Sequence, residues 1–174
     1  MNPILTPIFA RRSIREYTQQ DIPDDMIRDL LEAAMAAPSA VAKDPWHFII
    51  VRVQQTRDRI ADALPNGQML RQAPVGLVIC GDLGKAHDCQ LSYLLQDCSA
   101  AIQNLLLGAS MLGLGACWLG VHPRDERIAH IRELFALPDQ ILPVAAIALG
   151  WPAARPRPRT RFNKAAVHWE TWGG

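Results

Sequence analysis

The run from Cys89 to Pro123 constrains this chain most, because among its acids, lysines and arginines it holds one formal charge, Asp97. Within it Leu91, Leu94, Leu95, Cys98, Ala101, Ile102, Leu105, Leu106, Ala109 and Leu112 recur at helical spacing, which predicts a helix over 91–112. The opposite side is hardly more polar: Gln96, Ser99, Gln103 and Ser110 make a narrow uncharged stripe, and Leu107 and Met111 widen the apolar side. A helix that is apolar nearly all round is either buried or spans a membrane. Gln96, Asp97, Gln103 and Asn104 are each costly in hydrocarbon, and no basic cluster flanks the run, so a span is excluded. A chain of 174 residues cannot easily wrap one helix on every side. A partner subunit is therefore expected to cover part of it. Beyond the helix, Gly113, Gly115 and Gly120 let the backbone approach a flat ligand or another chain closely.

The remaining chain reads as a single domain, residues 1–174, long enough to bury a core. Composition is 49% apolar and 20% charged, which is globular rather than disordered. A net charge of +1 gives no general attraction to nucleic acid or to an acidic membrane, so neither is expected as a partner. Cys80, Cys89, Cys98 and Cys117 lie in apolar runs without a CxxC pair and read as reduced core residues. The opening MNPILTPIFARRS has no basic region ahead of its apolar stretch, so it is not read as a signal peptide; a cytoplasmic location is expected.

In chain order, Pro3–Ala10 predicts a short helix, and Arg11-Arg12-Ser13-Ile14-Arg15 follows it. Three arginines and a hydroxyl within these five residues can bind an anion, and in extended chain Arg11, Ser13 and Arg15 fall on one side; a solvated loop is the alternative. Pro23, Asp24 and Asp25 open a helix that Pro38 closes. His47–Val53, Pro74–Cys80 and Pro143–Leu149 read as buried strands, Thr56–Leu64 and Asp125–Phe135 as helices, and Pro65–Gly67 as a turn. Residues 153–161 alternate proline with arginine and run extended. The tail Val167–Trp172 is too aromatic to be left in water and is expected to cover another surface.

Several motifs fail. Gly113-x-Gly115 lacks the third glycine or alanine of a dinucleotide fingerprint, having Trp118 there, and follows a helix rather than a strand. There is no GxxxxGK[ST], Ser39 and Ser110 sit in no GxSxG elbow, and the histidines have no metal-ligand spacing, so no metal is expected.

Taken together, Arg11–Tyr17, Ala37–Ala40 with Pro45–Phe48, Ala73-Pro-Val, Cys80–Asp82, Gln96–Asn104, Gly113–Gly120, Gly150–Ala153 and Val167–Trp172 resemble the short, single-domain form of the nitroreductase family of FMN-dependent oxidoreductases. The resemblance implies an α+β, three-layer α/β/α fold with a mixed central sheet. It also implies an intertwined homodimer with two FMN sites at the interface, and a C-terminal extension, 151–174, embracing the partner. By position it assigns Arg11, Arg12, Ser13 and Arg15 to the FMN phosphate and the pyrimidine edge of the flavin, with Arg157 and Arg159 as a basic pair near the phosphate. Pro38, Ser39 and Ala40 would cover the isoalloxazine from the other subunit. Asn66 or Gln68 would meet the flavin or its ribityl chain, and Leu119 and Gly120 would present backbone N–H groups near flavin N5. The family commonly has Asn and Gln where Ala42 and Asp44 stand, so two amides are missing here and one acid is gained.

The activity implied is an FMN-dependent oxidoreductase that uses NADH or NADPH in ping-pong fashion to reduce a small-molecule electron acceptor such as a nitroaromatic or quinone. No catalytic side chain is assigned, since the flavin would carry the chemistry. The alternatives are another flavin reaction on this fold, such as dehalogenation or enoate-type reduction, and a binding module using the arginine tail.

Overall fold

The computed structural model describes residues 2–173. In chain order its main elements are α1 (Thr6–Ala10), α2 (Asp24–Met35), β1 (Trp46–Val51), α3 (Gln54–Ala63), β2 (Val75–Asp82), α4 (Leu91–Met111), β3 (Gly115–Gly120), α5 (Asp125–Leu134) and β4 (Ile141–Gly150). The strands lie side by side as β1-β2-β4-β3, and all three pairings are antiparallel. The mixed character expected of the sheet is thus corrected for these strands. Among the described residues the parallel contact is one isolated bridge between Ser13 and Ala116. Apolar runs report that a strand is buried; its direction depends on the sheet end to which each connection returns.

The strands are apolar on both sides because both faces are covered. Leu77, Ile79, Ile147 and Leu149 share a core with Ile27 and Leu30 of α2 and Leu94, Cys98 and Ile102 of α4. Val78, Cys80, Ala146 and Ala148 share the other with Ile60 of α3 and Ile131 of α5. The result is the three-layer arrangement. The segment 115–120, read from sequence only as a glycine-rich break, is an edge strand, with Cys117 opposite Ala148 and Leu119 opposite Ala146. Its glycines, poor strand formers, hide it.

The central helix α4 buries Leu94, Cys98, Ala101, Ile102, Leu105, Leu106 and Ala109. Asn104 Nδ2 donates to the Ala33 carbonyl at 3.1 Å, tying α4 to the last turn of α2. The uncharged stripe remains accessible: Gln96, Gln103 and Met111 are exposed, and Ser99, Leu107 and Ser110 half-buried. Among the described residues, no helix is long and apolar enough to cross a membrane. Cys80, Cys98 and Cys117 are buried and unpaired. Cys89 is a correction: it is exposed, in the short turn before α4 rather than in the core.

Past β4 the chain has no regular structure over residues 155–163. Phe162, Trp169 and Trp172 stand 71%, 76% and 91% exposed, clear of this chain's own core.

Candidate active site

The arginine run after α1 is laid along the sheet edge by backbone bonds. Ile14 N–H donates to the Ala116 carbonyl at 3.0 Å, and Ala153 N–H to the Glu16 carbonyl at 3.0 Å. The buried Tyr17 hydroxyl lies 2.7 Å from the Ile14 carbonyl and 3.1 Å from that of Ala148. Burial pushes its phenol pKa upward, so it stays a neutral brace. Held this way, Arg11, Arg12, Ser13 and Arg15 line one cavity of about 290 Å³.

The proline–arginine segment closes the same cavity. Arg159 N–H donates to the Phe9 carbonyl at 3.2 Å, and Arg12 Nη1 to the Arg157 carbonyl at 2.7 Å. Arg159 and Arg161 line the cavity, whereas Arg155 and Arg157 line a neighbouring groove with Pro156 and Pro158. Arg157 thus contributes its carbonyl to Arg12 rather than its guanidinium to the cavity. Five guanidiniums and no carboxylate line this space. The neighbouring Arg12 and Arg161 charges hold Arg159 below its ordinary pKa. Such a cluster fits a polyanion, which relieves the mutual repulsion.

A second cleft, of about 460 Å³, has Arg15 in its lining in common with the first. Asn66, Trp118, Leu119, Gly120 and Arg127 line it. Arg127 Nη1 donates to the Gly120 carbonyl at 2.8 Å. Gly67 serves the turn here, because a Cβ would stand 2.7 Å from that of Leu64. Burial raises the pKa of the Cys117 thiol on this cleft, against the pull of Arg15 and Arg11. Gln68 does not line the cleft: its amide donates to the Ala61 carbonyl at 3.2 Å and accepts from Arg71 Nε at 2.9 Å.

Pro38, Ser39 and Ala40 line neither cleft of their own chain. They begin a tightly bracketed loop. The Ser39 hydroxyl donates to Asp44 Oδ1 at 2.5 Å, and Asp44 N–H donates back to Ser39 Oγ at 3.0 Å. Val41, Ala42 and Asp44 adopt left-handed conformations, with φ of 54°, 53° and 47°. Each such non-glycine residue costs about 1–3 kcal/mol and persists only where its surroundings enforce it. Asp97 supplies part of that enforcement through a bond to Ala40 N–H. Sequence reasoning missed Asp97, Arg127 and Arg161 as parts of this arrangement. A signal existed for Asp97, the lone charge of the apolar run; none existed for Arg127, which is one of several charges on an exposed helix start.

The comparisons with known proteins fit this geometry. The family model described as "Nitroreductase family" matches residues 8–68 and 63–151. A Methanothermobacter thermautotrophicus protein, provisionally named NADH dehydrogenase/NAD(P)H nitroreductase, is 42% identical over 97% of this chain and 87% of its own. A crystal structure from Parabacteroides distasonis under the same provisional name superposes with a TM-score of 0.92 at 38% identity, covering 99% of this chain and 100% of that one. A provisionally named nitroreductase from Desulfovibrio desulfuricans, solved in complex with FMN, superposes with a TM-score of 0.83 at 33% identity, covering 98% of each chain. With the fold, the arginine cavity and these matches in agreement, the chain belongs to the nitroreductase family.

Proposed function

We propose that the two clefts flanking Arg15 together hold one FMN, and that the chain is an FMN-dependent NAD(P)H oxidoreductase reducing nitroaromatics, quinones or similar electron-poor acceptors. The observation that carries this reading is Arg15, which lines both the all-cationic cavity and the cleft beside Leu119 and Gly120. A flavin mononucleotide has matching ends, a phosphate and a flat conjugated ring. The solved Desulfovibrio relative held FMN.

When bound, FMN supplies the two-electron relay between the nicotinamide and the acceptor. The protein's part is position and field. Arg11, Arg12, Ser13, Arg15 and Arg159 hold the phosphate through charge-assisted hydrogen bonds. Asn66 meets the flavin or its ribityl chain, and the backbone at Leu119 and Gly120 lines the ring edge. No side chain is assigned to proton or hydride transfer.

The site is completed by a second copy. Pro38, Ser39 and Ala40 reach the ring of the partner's site, the uncharged stripe of α4 faces the partner, and the tail from residue 151 covers it. This reading accounts for the exposed Trp169 and Trp172, which otherwise leave large apolar rings in water. The whole chain is then one domain with a C-terminal extension, working in the cytoplasm with its cysteines reduced.

The test is a flavin titration of purified apoprotein with sedimentation alongside. A yellow dimer that oxidises NADH or NADPH only with FMN present is expected. Arg159→Ala should weaken FMN about 10- to 100-fold through the loss of a charge-assisted hydrogen bond. Excess FMN should restore most turnover. A colourless protein unaffected by FMN would instead favour the binding-module reading of the arginine tail.

A further inference from the structure

Two guanidiniums line the ring cleft: Arg15, which also lines the arginine cavity, and Arg127, which does not. Arg127 stands in the first turn of α5, and its Nη1 donates to the Gly120 carbonyl at 2.8 Å. That bond uses one of its five N–H donors. Arg127 is half-buried, and among the described residues it forms no ion pair; the salt bridges use Arg52, Arg71, His87 and Arg132. Its acidic neighbours on the helix, Asp125 and Glu126, are exposed and do not line the cleft. No carboxylate lines it, and burial keeps the Cys117 thiol neutral. A bound phosphate offsets the charge of Arg15 on its other side. Arg127 has no such counter-charge.

A hydride from a nicotinamide carries two electrons and one proton. A neutral oxidised ring that accepts it gains one negative charge, kept until a second proton is taken up. A positive charge in a half-buried cleft favours the reduced ring over the oxidised one, and it is screened less there than in water. The bond to the Gly120 carbonyl fixes the guanidinium at the cleft wall before any ligand arrives, so its field is already in place when the charge develops. We infer that Arg127 sets the redox balance of the ring cleft: its fixed charge makes the site bind reduced FMN in preference to oxidised FMN and so raises the reduction potential of the flavin. The inference rests on the FMN-oxidoreductase reading.

The experiment measures the midpoint potential of the FMN-loaded protein against a reference dye. Alongside it, oxidised FMN and anaerobically reduced FMN are titrated into the full-length apoprotein. Wild type is compared with Arg127→Ala, Arg127→Gln, Arg127→Lys and Arg124→Ala. Arg124 is exposed just ahead of α5, lines neither cleft, and controls for net charge. Arg127→Ala should weaken reduced FMN about 10-fold more than oxidised FMN, which lowers the potential by about 30 mV for a two-electron couple. Arg127→Gln keeps a donor for the Gly120 carbonyl without the charge, so it should lower the potential by as much. Arg127→Lys keeps the charge and should restore most of it, and Arg124→Ala should leave it unmoved. Should the alanine variant not fold, the glutamine and lysine variants decide alone. The inference is overturned if Arg127→Ala weakens both oxidation states equally, which is what a merely structural bond would do. It is also overturned if Arg127→Gln keeps the wild-type potential, if Arg127→Lys fares no better than Arg127→Gln, or if Arg124→Ala lowers the potential as much. A wild type that binds FMN in neither state would remove both readings; a wild type that binds it, with the potential unmoved in Arg127→Ala, removes this one alone.

Discussion

The Asp97 carboxylate accepts the backbone N–H of Ala40 at 2.9 Å, joining the middle of the central helix to a loop 57 positions earlier. Asp97 is only 5% exposed, and its other oxygen, Oδ2, has no hydrogen-bond partner among the described residues. The bond therefore tethers the left-handed loop whose first residues we place at the partner's flavin. Asp97→Ala leaves the Ala40 N–H unpaired and should lower stability by about 1–3 kcal/mol. Asp97→Asn keeps a carbonyl acceptor and should lose less. Urea unfolding with acceptor kinetics checks this: KM for the acceptor should rise more in the alanine variant than in the asparagine one. Equal behaviour of the two variants would show that the tether is unimportant.

Gly115 controls how close the arginine run lies to the sheet. A Cβ there would stand 2.7 Å from Ile14 Cβ and 2.8 Å from both its γ carbons. Ile14 cannot yield by turning its side chain, because its Cβ is fixed to the backbone. Gly115→Ala should therefore push the 13–15 segment off β3, at roughly 1–3 kcal/mol for overpacking. Ser13 and Arg15 move with it, so FMN affinity should fall although neither is altered. Gly84→Ala is the comparison, since its nearest neighbour, an Asp82 carboxylate oxygen, is 3.3 Å away at the end of a movable side chain. A Gly115→Ala protein with wild-type flavin affinity would show that the segment is not held by this contact.

The buried thiols set a pH limit. Burial pushes Cys80 and Cys98 up to about 12, with the Asp97 charge adding to the effect at Cys98. In the unfolded chain a thiol titrates near about 8.5. The folded state thus holds these protons more tightly, so their contribution to stability is whole below about 8.5 and is lost as pH rises toward the folded value. Unfolding by urea should become progressively easier from pH 8 to pH 11. At pH 8 a thiol reagent should label Cys89 quickly and the other three only on unfolding. Four thiols reacting at one rate would contradict the burial described.

How much of this was legible in the sequence varied with the kind of information needed. The helix over 91–111 was plain, because its apolar spacing is a local pattern that burial imposes. The strands at 75–82 and 141–150 were visible for the same reason, being covered on both faces. The strand at 115–120 was not, since Gly115, which lies close against Ile14, and Gly120 erase the composition that marks a strand. Strand direction was also out of reach, because it belongs to the connections rather than to the runs they join.

In the site, the sequence by itself determined that Arg11, Arg12 and Arg15 are close neighbours in the chain and that extended backbone puts Arg11, Ser13 and Arg15 on one side. Only the tertiary structure decided which distant arginines join them. The Phe9 and Arg157 carbonyls anchor the proline-rich segment so that Arg159 and Arg161 turn inward and Arg155 and Arg157 do not. It likewise turned Gln68 toward Ala61 and Arg71, and brought Arg127 to the Gly120 carbonyl. Spacing along a chain fixes which side chains can share one face of one element. Contacts between elements are set by packing and by hydrogen bonds to backbone carbonyls, which every residue type presents alike and no sequence pattern marks.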